Sequence, residues 1–320
     1  MPIHTLKELL RDFDSRLNVF VKLLLISSVF ICLIVLLNDG SRLFNQYVLG
    51  IYYSDSPLEY THITVSPDVD LEVVLKRHNL WDIEEYDEIT PVVLTRFPLP
   101  NLDKEISDRK KGFFHALLPA ALIAQAEVEL ERQLITESIA QIGEEAAAID
   151  FDLDTDFWQK NLSGAAVSRL VSISGKYEET NAASLLTKVD VIPVSLILAQ
   201  SAIESAWGVS RFAVNGNNLF GIWTWGENGM IPQKRDSDKN HRVSVFVSIL
   251  DSVRAYTLII NKVAAYELFR EIRTETRDPL KLADGLINYS SRRNLYVTDV
   301  KNMINQNNLK SYDTNSIAFN

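Results

Sequence analysis

Residues 193 to 229 constrain the fold more than any other stretch, because an apolar helix with readable ends runs straight into a segment of period two. The helix reads Pro193-Val-Ser-Leu-Ile-Leu-Ala-Gln-Ser-Ala-Ile-Glu204-Ser-Ala-Trp207-Gly208. Pro193 suits a first turn, which needs no backbone N–H, and Gly208 suits the position just past the last turn, where φ is often positive. A helix this apolar is expected to be buried. Its spacing stacks Ile197, Gln200, Glu204 and Trp207 or Gly208 along one side. Beyond it, Phe220, Ile222 and Thr224 alternate with Gly221, Trp223 and Trp225, and Gly226-Glu-Asn-Gly229 forms a turn. Farther on, Val243, Val245 and Val247 alternate with Arg242, Ser244 and Phe246. That period predicts a small antiparallel sheet directly after the helix.

The helix carries one carboxylate, Glu204, in its last turn. There it meets the negative end of the helix dipole and, beside Trp207 and aliphatic neighbours, partial desolvation. Both favour the neutral acid. A carboxylic acid held protonated near neutral pH is what glycoside cleavage needs to donate a proton to the leaving oxygen. The plainer alternative is an acid capped by a nearby arginine, or a frayed helix end in water.

Ala202-Ile-Glu204-Ser-Ala-Trp207-Gly208 followed by Asn217-Asn218-Leu219-Phe220-Gly221-Ile222 closely resembles the signature of bacterial glucosaminidase domains, glycoside hydrolase family 73. Other blocks are similar to the bacterial Bax-type proteins, which share only a name with the apoptosis regulator. They are Lys188-Val-Asp-Val-Ile-Pro-Val-Ser-Leu, Phe220-Gly-Ile-Trp-Thr-Trp-Gly, Leu250-Asp-Ser-Val-Arg-Ala-Tyr256 and Arg109-Lys-Lys-Gly-Phe-Phe-His-Ala-Leu-Leu-Pro119. Asn288-Tyr-Ser290 and Met303-Ile-Asn-Gln-Asn307 fit the same family, so the resemblance covers residues 95 to 315. It implies a lysozyme-like α+β domain in which Glu204 is the catalytic acid. The substrate it implies is a glycan strand of peptidoglycan, cut at the β-1,4 bond after N-acetylglucosamine.

A second carboxylate, as nucleophile or as base for water, usually pairs with the acid. Related glucosaminidases are thought to use a Glu of the hairpin. Here that stretch, Gln233-Lys-Arg-Asp236-Ser-Asp238-Lys-Asn-His241-Arg242, has none, so Asp236 and Asp238 are the candidates, with assistance from the substrate's own N-acetyl group as the alternative. Phe220, Trp223 and Trp225 offer apolar platforms for sugar rings. Alternation puts Trp223 and Trp225 on one face and Phe220 on the other, so one of the two faces is expected in the core. Tyr289 and Tyr296 resemble a pair of cleft tyrosines in the family, with Ser-Arg-Arg where Thr-Asp-Pro is usual. Gln200, one turn before Glu204, joins the substrate-binding candidates. Asn217, Asn218 and Arg254 are expected to be structural.

Composition narrows the partners. The net charge is −10 and the pI about 5.1, which argues against nucleic acid, since that partner needs a basic patch. The single cysteine, Cys32, lies in an apolar run, so no intramolecular disulfide and no thiol nucleophile is expected. His4, His62, His78, His115 and His241 are scattered singly, so neither a metal nor another cofactor is implied.

Toward the N-terminus, Val19 to Leu37 form 19 residues broken only by Lys22 and the Ser27-Ser28 pair, close to a bilayer span. Lys7, Arg11, Arg16 and Lys22 precede or begin the run, and only Arg42 follows it before Lys76. The positive-inside rule then places the N-terminus in the cytoplasm and the rest in the periplasm or extracytoplasmic space. No small-x-small pattern follows, so an uncleaved inner-membrane anchor is favoured over a cleaved signal.

The expected organisation is a cytoplasmic tail at 1–16, a transmembrane helix at 17–38, a tether with a small α/β segment at 39–100, a helical part at 101–184 and the catalytic domain at 185–315. In the third piece, Thr61 to Val65 and Thr90 to Leu94 read as strands and Asp68 to His78 as a helix. In the fourth, Asp103 to Ala148 reads as helix with Pro119 as a kink or break. Further helices are expected over 155–175, 182–188, 249–262, 266–274, 279–289 and 300–307. The class is therefore mainly α, with one small antiparallel sheet after the acid helix. Two further functions fit the same residues: a lytic transglycosylase, which closes an anhydro ring with a single acid, and a membrane-tethered wall-binding scaffold without catalysis.

Overall fold

A computed structural model of the chain describes residues 58–99, 101–151, 155–226, 229–233 and 240–318. The expected membrane span, the tail before it, the first part of the tether, and Asp236 and Asp238 lie outside those residues. The described chain begins with β1 (Thr61–Ile63), α1 (Leu71–Arg77), β2 (Glu88–Ile89), β3 (Val92–Leu94) and the long α2 (Ile106–Ile142). Then come α3 (Thr155–Asn161), α4 (Gly164–Tyr177), α5 (Ala182–Lys188), α6 (Val194–Ser205) and α7 (Arg211–Gly216). After β4 (Trp223–Thr224) and β5 (Arg242–Val243) the chain is helical through α8 (Ile249–Lys262), α9 (Glu267–Glu275), α10 (Pro279–Leu282) and α11 (Asn294–Gln306), and it ends in β6 (Ser316–Ile317).

The core is organised on α2, α6 and α8. Every residue of α2 from Gly112 to Gln125 is buried, as the all-round apolar sequence requires. Among the described residues α2 is the one helix long and apolar enough to cross a membrane, but 78% of its apolar window is buried by protein, which makes it a core helix. Pro119 does not interrupt it: of the expected kink or break, the break is absent, and the helix is continuous from Ile106 to Ile142. Helix α6 is equally enclosed, with Leu196, Ile197, Leu198 and Ala199 at 0% exposure. Each such aliphatic side chain contributes about 1.5–3 kcal/mol of burial. That burial outweighs the lost N–H of one proline.

The described part of the expected tether segment, residues 58–99, packs on this core. Strands β1 and β3 pair in parallel, Thr61 opposite Val92 and Ile63 opposite Leu94, and β2 pairs in parallel with β6 from the other end of the chain. Buried His115 on α2 links the two ends. Its Nδ1 is 3.0 Å from the Leu80 carbonyl oxygen and its Nε2 is 2.9 Å from the Tyr312 hydroxyl. A carbonyl only accepts, so Nδ1 carries the proton and Nε2 accepts from Tyr312. Burial pulls the His115 pKa down to about 4, so the ring is neutral at neutral pH.

Local chemistry explains where the helices differ from expectation. Helix α1 starts at Leu71, not Asp68, because the Asp70 carboxylate accepts from the Glu72 N–H and caps it. The expected helix 279–289 ends at Leu282 and tightens into a 3-10 turn, Ala283–Leu286. There the chain runs against α9 so closely that a Cβ on Gly285 would lie 2.3 Å from the Phe269 Cα. Helix α11 begins at Asn294, earlier than expected, and buries Tyr296 in its first turn.

Candidate active site

Helix α6 is held at both ends. Pro193 occupies the cap position, just before the first turn, with φ −50° and no side-chain hydrogen bond to offer. Asp313, from the 3-10 turn Leu309–Thr314, supplies the cap instead, accepting from the Ser195 N–H at 2.8 Å and from its hydroxyl at 2.7 Å. At the other end three consecutive residues are left-handed: Ala206 (φ 51°), Trp207 (φ 62°) and Gly208 (φ 78°). The expected positive φ at Gly208 is present, but the turn begins two residues earlier, at residues for which that conformation costs about 1–2 kcal/mol each. Ser205 secures the turn, accepting from the Gly208 N–H at 2.7 Å and donating to the Ser201 carbonyl at 2.6 Å. The Trp207 indole packs edge-on against Phe113 and Phe114, with centroids 5.8 and 5.2 Å away.

That turn carries the chain through α7 and back toward Glu204. Asn217 ends α7 with φ 50° and donates to the Phe246 carbonyl at 3.1 Å. Asn218 donates to the carbonyls of Ile222 at 2.8 Å and Ser244 at 2.9 Å, and accepts from the Ile222 N–H at 3.0 Å. The two asparagines thus tie the loop as expected. Gly221 follows with φ 67°, and a Cβ there would lie 3.6 Å from Glu204 Oε2, so bare backbone passes the carboxylate. Strands β4 and β5 then pair antiparallel, Trp223 opposite Val243 and Thr224 opposite Arg242.

Glu204 is half-buried. Desolvation raises its pKa, and a hydrogen bond from the Tyr296 hydroxyl offsets part of the rise. Among the described residues the groups that register the Glu204 charge are four tyrosines, Tyr256, Tyr266, Tyr289 and Tyr296. All four are themselves pushed upward by burial, Tyr266 to about 12, so they stay neutral donors. Gln200 lies beneath, its Nε2 donating to the Tyr296 oxygen at 2.9 Å and its Oε1 accepting from the Tyr256 hydroxyl. Tyr289 stacks on Tyr296 at 5.4 Å and 5° and donates to the Phe220 carbonyl at 2.9 Å. The arrangement can hold a carboxylic acid neutral and meet its anion with one O–H donor.

The remaining candidates divide by exposure. Trp223 and Trp225 are 51% and 69% exposed, whereas Phe220 is 2% exposed. Phe220 is therefore the core member of the alternation and stacks on Tyr256 at 4.3 Å. Trp223 stacks on His241 at 4.4 Å. The alternation after β5 is corrected: Val243 is buried, but then Ser244 and Phe246 point inward while Val245 and Val247 are exposed. The Phe246 N–H bonds to the Gly216 carbonyl at 2.8 Å, which turns Phe246 onto the core. Arg254 is structural as expected, bonded to Glu127 and Asp251 of the core and to the Tyr60 hydroxyl. Tyr256, Tyr266 and Gly221 were not singled out as site residues. Tyr256 stands in the block Leu250–Tyr256, on the buried side of a helical period; Tyr266 carried no signal. A cavity of about 310 Å³ opens on the other flank of the turn, between Trp81, Phe97, Phe113 and Trp207, and its lining contains neither Glu204 nor the four tyrosines. Its size is no argument for the chemistry, and the site is placed by the acid.

Comparison with known proteins follows the same residues. The glucosaminidase family, described as mannosyl-glycoprotein endo-beta-N-acetylglucosaminidase, matches residues 179–309, which include Glu204 and all four tyrosines. Protein bax of Escherichia coli (strain K12) is 28% identical over 232 residues, 72% of this chain and 78% of that protein. No solved structure matches the chain. The matched glucosaminidase domain and the relative that aligns over most of the chain together support a Bax-type protein with a glucosaminidase domain.

Proposed function

We propose that the chain is a membrane-anchored peptidoglycan hydrolase, an endo-β-N-acetylglucosaminidase that cleaves a β-1,4 glycosidic bond with Glu204 as general acid. The observation that carries this reading is the desolvated Glu204 carboxyl, raised in pKa within a wall of neutral tyrosines, inside the stretch that the glucosaminidase family matches. Neutral Glu204 gives its proton to the glycosidic oxygen as the C1–O bond breaks, and positive charge develops on the sugar ring. The carboxylate left behind accepts from Tyr296. Water completes hydrolysis at C1, activated by Asp236 or Asp238 or after attack by the substrate's own N-acetyl oxygen. Exposed Trp223 and Trp225 supply the sugar platform. The short β4–β5 pair after the acid helix supports a lysozyme-like arrangement. The 19-residue apolar run from Val19 to Leu37, with its preceding lysine and arginine residues, supports an inner-membrane anchor with this domain outside the cytoplasm.

A single-acid site equally suits a lytic transglycosylase, and the product ends separate the two. Purified full-length protein in detergent, incubated with isolated peptidoglycan, is expected to release reducing N-acetylglucosamine ends by mass spectrometry, and the Glu204→Gln protein none. Anhydro-muramic ends would move the protein to the transglycosylases. Cleavage that survives Glu204→Gln refutes the mechanism, and a protein that pellets with the wall but releases nothing is a binding scaffold.

A further inference from the structure

We propose that Gln200 and Tyr256 are positioning residues: they fix the direction of the Tyr296 hydroxyl, so that its single hydrogen is always presented to Glu204. The proposal rests on the reading of Glu204 as general acid and assigns the machinery behind it.

The argument is one of donor and acceptor sense. The oxygen of a side-chain amide only accepts and its nitrogen only donates. The Tyr256 hydroxyl gives its hydrogen to Gln200 Oε1, which sets the amide's orientation. Gln200 Nε2 then faces the Tyr296 oxygen at 2.9 Å and donates to it. With that oxygen accepting, the Tyr296 hydrogen is left for the Glu204 carboxyl. Gln200, Tyr256 and Tyr296 are 0%, 1% and 2% exposed, so bulk water does not compete for the two links behind the Tyr296 oxygen. Three helices contribute, α6, α8 and α11, and the flanking rings hold the planes: Phe220 stacks on Tyr256 and Tyr289 on Tyr296. Gln200 at 0% exposure does not reach a sugar, so its expected place among the substrate-binding residues becomes one behind them.

The consequence is a proton placed on one oxygen. When Glu204 is neutral, Tyr296 donates to one carboxyl oxygen, and the acid's own hydrogen sits on the other, free for the glycosidic oxygen. Once that hydrogen has left, the same Tyr296 donor stabilises the anion without reorganisation, which is how preorganised dipoles lower a barrier. The groups facing Glu204 are Tyr256 from α8, Tyr266 from the 3-10 turn Ala264–Tyr266, Tyr289 from the segment before α11 and Tyr296 from α11. From the loop before β4 the Gly221 backbone approaches. Lys234, Arg235, Asp236, Asp238 and Lys239 lie outside the described residues.

Tyr256→Phe and Gln200→Glu test the relay in the full-length protein, read by the pH dependence of initial release from dye-labelled peptidoglycan below saturation, which tracks kcat/KM. The alkaline limb of that profile reports loss of the acid proton. Tyr256→Phe keeps the ring and its stack but frees the amide to turn, so the Glu204 anion loses part of its donor. Its pKa then rises, moving the alkaline limb up by about one pH unit and slowing the plateau about tenfold. Gln200→Glu replaces the donor by an acceptor that draws the Tyr296 hydrogen away, and the limb moves farther in the same direction. If Gln200→Glu does not fold by circular dichroism, Tyr256→Phe decides alone. A merely structural role would lower the melting temperature and kcat and leave the limb in place, and that result overturns the relay. Full activity in Glu204→Gln would instead overturn the reading of the acid, so the two failures are distinct.

Discussion

Acidification is expected to loosen the tie between the two ends of the chain through one residue, His115. In the folded protein its Nδ1–H donates to Leu80 and its Nε2 accepts from Tyr312, and burial lowers its pKa from 6.5 to about 4. The sign follows from proton counting. Between those two values the unfolded chain binds a proton that the folded chain does not, so stability falls as pH falls. The contribution is complete above the unfolded pKa and is lost progressively down to the folded one. At 1.36 kcal/mol per unit the loss reaches about 3 kcal/mol, and about 2 kcal/mol of it is gone by about pH 4.5. Protonated carboxylates also destabilise an acidified protein, so the wild type must be compared with His115→Gln, which does not titrate there. Urea unfolding of both at about pH 7 and about pH 4.5 gives the measurement. The wild type is expected to lose about 2 kcal/mol more than the variant across that interval. Parallel losses would show that His115 is not held neutral, and the account of its two hydrogen bonds would fall with it.

Two further outcomes test the site's geometry. Gly221→Ala puts a methyl in a left-handed position 3.6 Å from Glu204 Oε2; urea unfolding should show a loss of about 1–2 kcal/mol, with catalytic rate falling beyond what the lost fold explains, and unchanged stability would refute the assigned backbone. Trp223→Ala and Trp225→Ala should each change stability by no more than about 0.5 kcal/mol while weakening retention on peptidoglycan in a pelleting assay, whereas Phe220→Ala should cost about 3–5 kcal/mol of stability; equal stability losses at all three would mean that the faces are misassigned.

Much of this was legible in the sequence, and the reasons are physical. Helix α8 was legible as a helix over 249–262 because its pattern is local, and the structure adds its cap, the Ser248 hydroxyl accepting from the Asp251 N–H. The acid helix and the hairpin after it were legible because composition and period change abruptly near Gly208. The pairing of β2 with β6, and of His115 with both Leu80 and Tyr312, was not. Those contacts join residues far apart in the chain, and no local periodicity encodes them. The same holds for the cap of α6, where Pro193 fills the cap position and the acceptor comes from Asp313, 118 residues away from Ser195. The inward turn of Phe246 was missed because Val243, Val245 and Val247 present the better alternation. One backbone bond, from the Phe246 N–H to Gly216, decides the face instead.

The region around Glu204 concentrates locally unfavourable features, and their coincidence is an argument for function. A carboxyl is desolvated within reach of no described cation, and two residues later Ala206 and Trp207 are both left-handed. Each costs stability that a neutral side chain or a longer loop would spare, and sequences that specify a fold tend to shed such conflicts except where a site requires them. Here the two costs are geometrically linked. The abrupt reversal at 206–208 sends the chain into α7 at once, and α7 delivers Asn217 and Asn218, which pin the loop that brings bare backbone at Gly221 against the carboxylate. A relaxed helix end would carry the loop elsewhere and leave Glu204 hydrated, with the pKa of an ordinary surface acid. The strain at Ala206 and Trp207 is thus part of what keeps the Glu204 carboxyl desolvated, as the proposed acid role requires, and the buried surface of α2 and α6 offsets it.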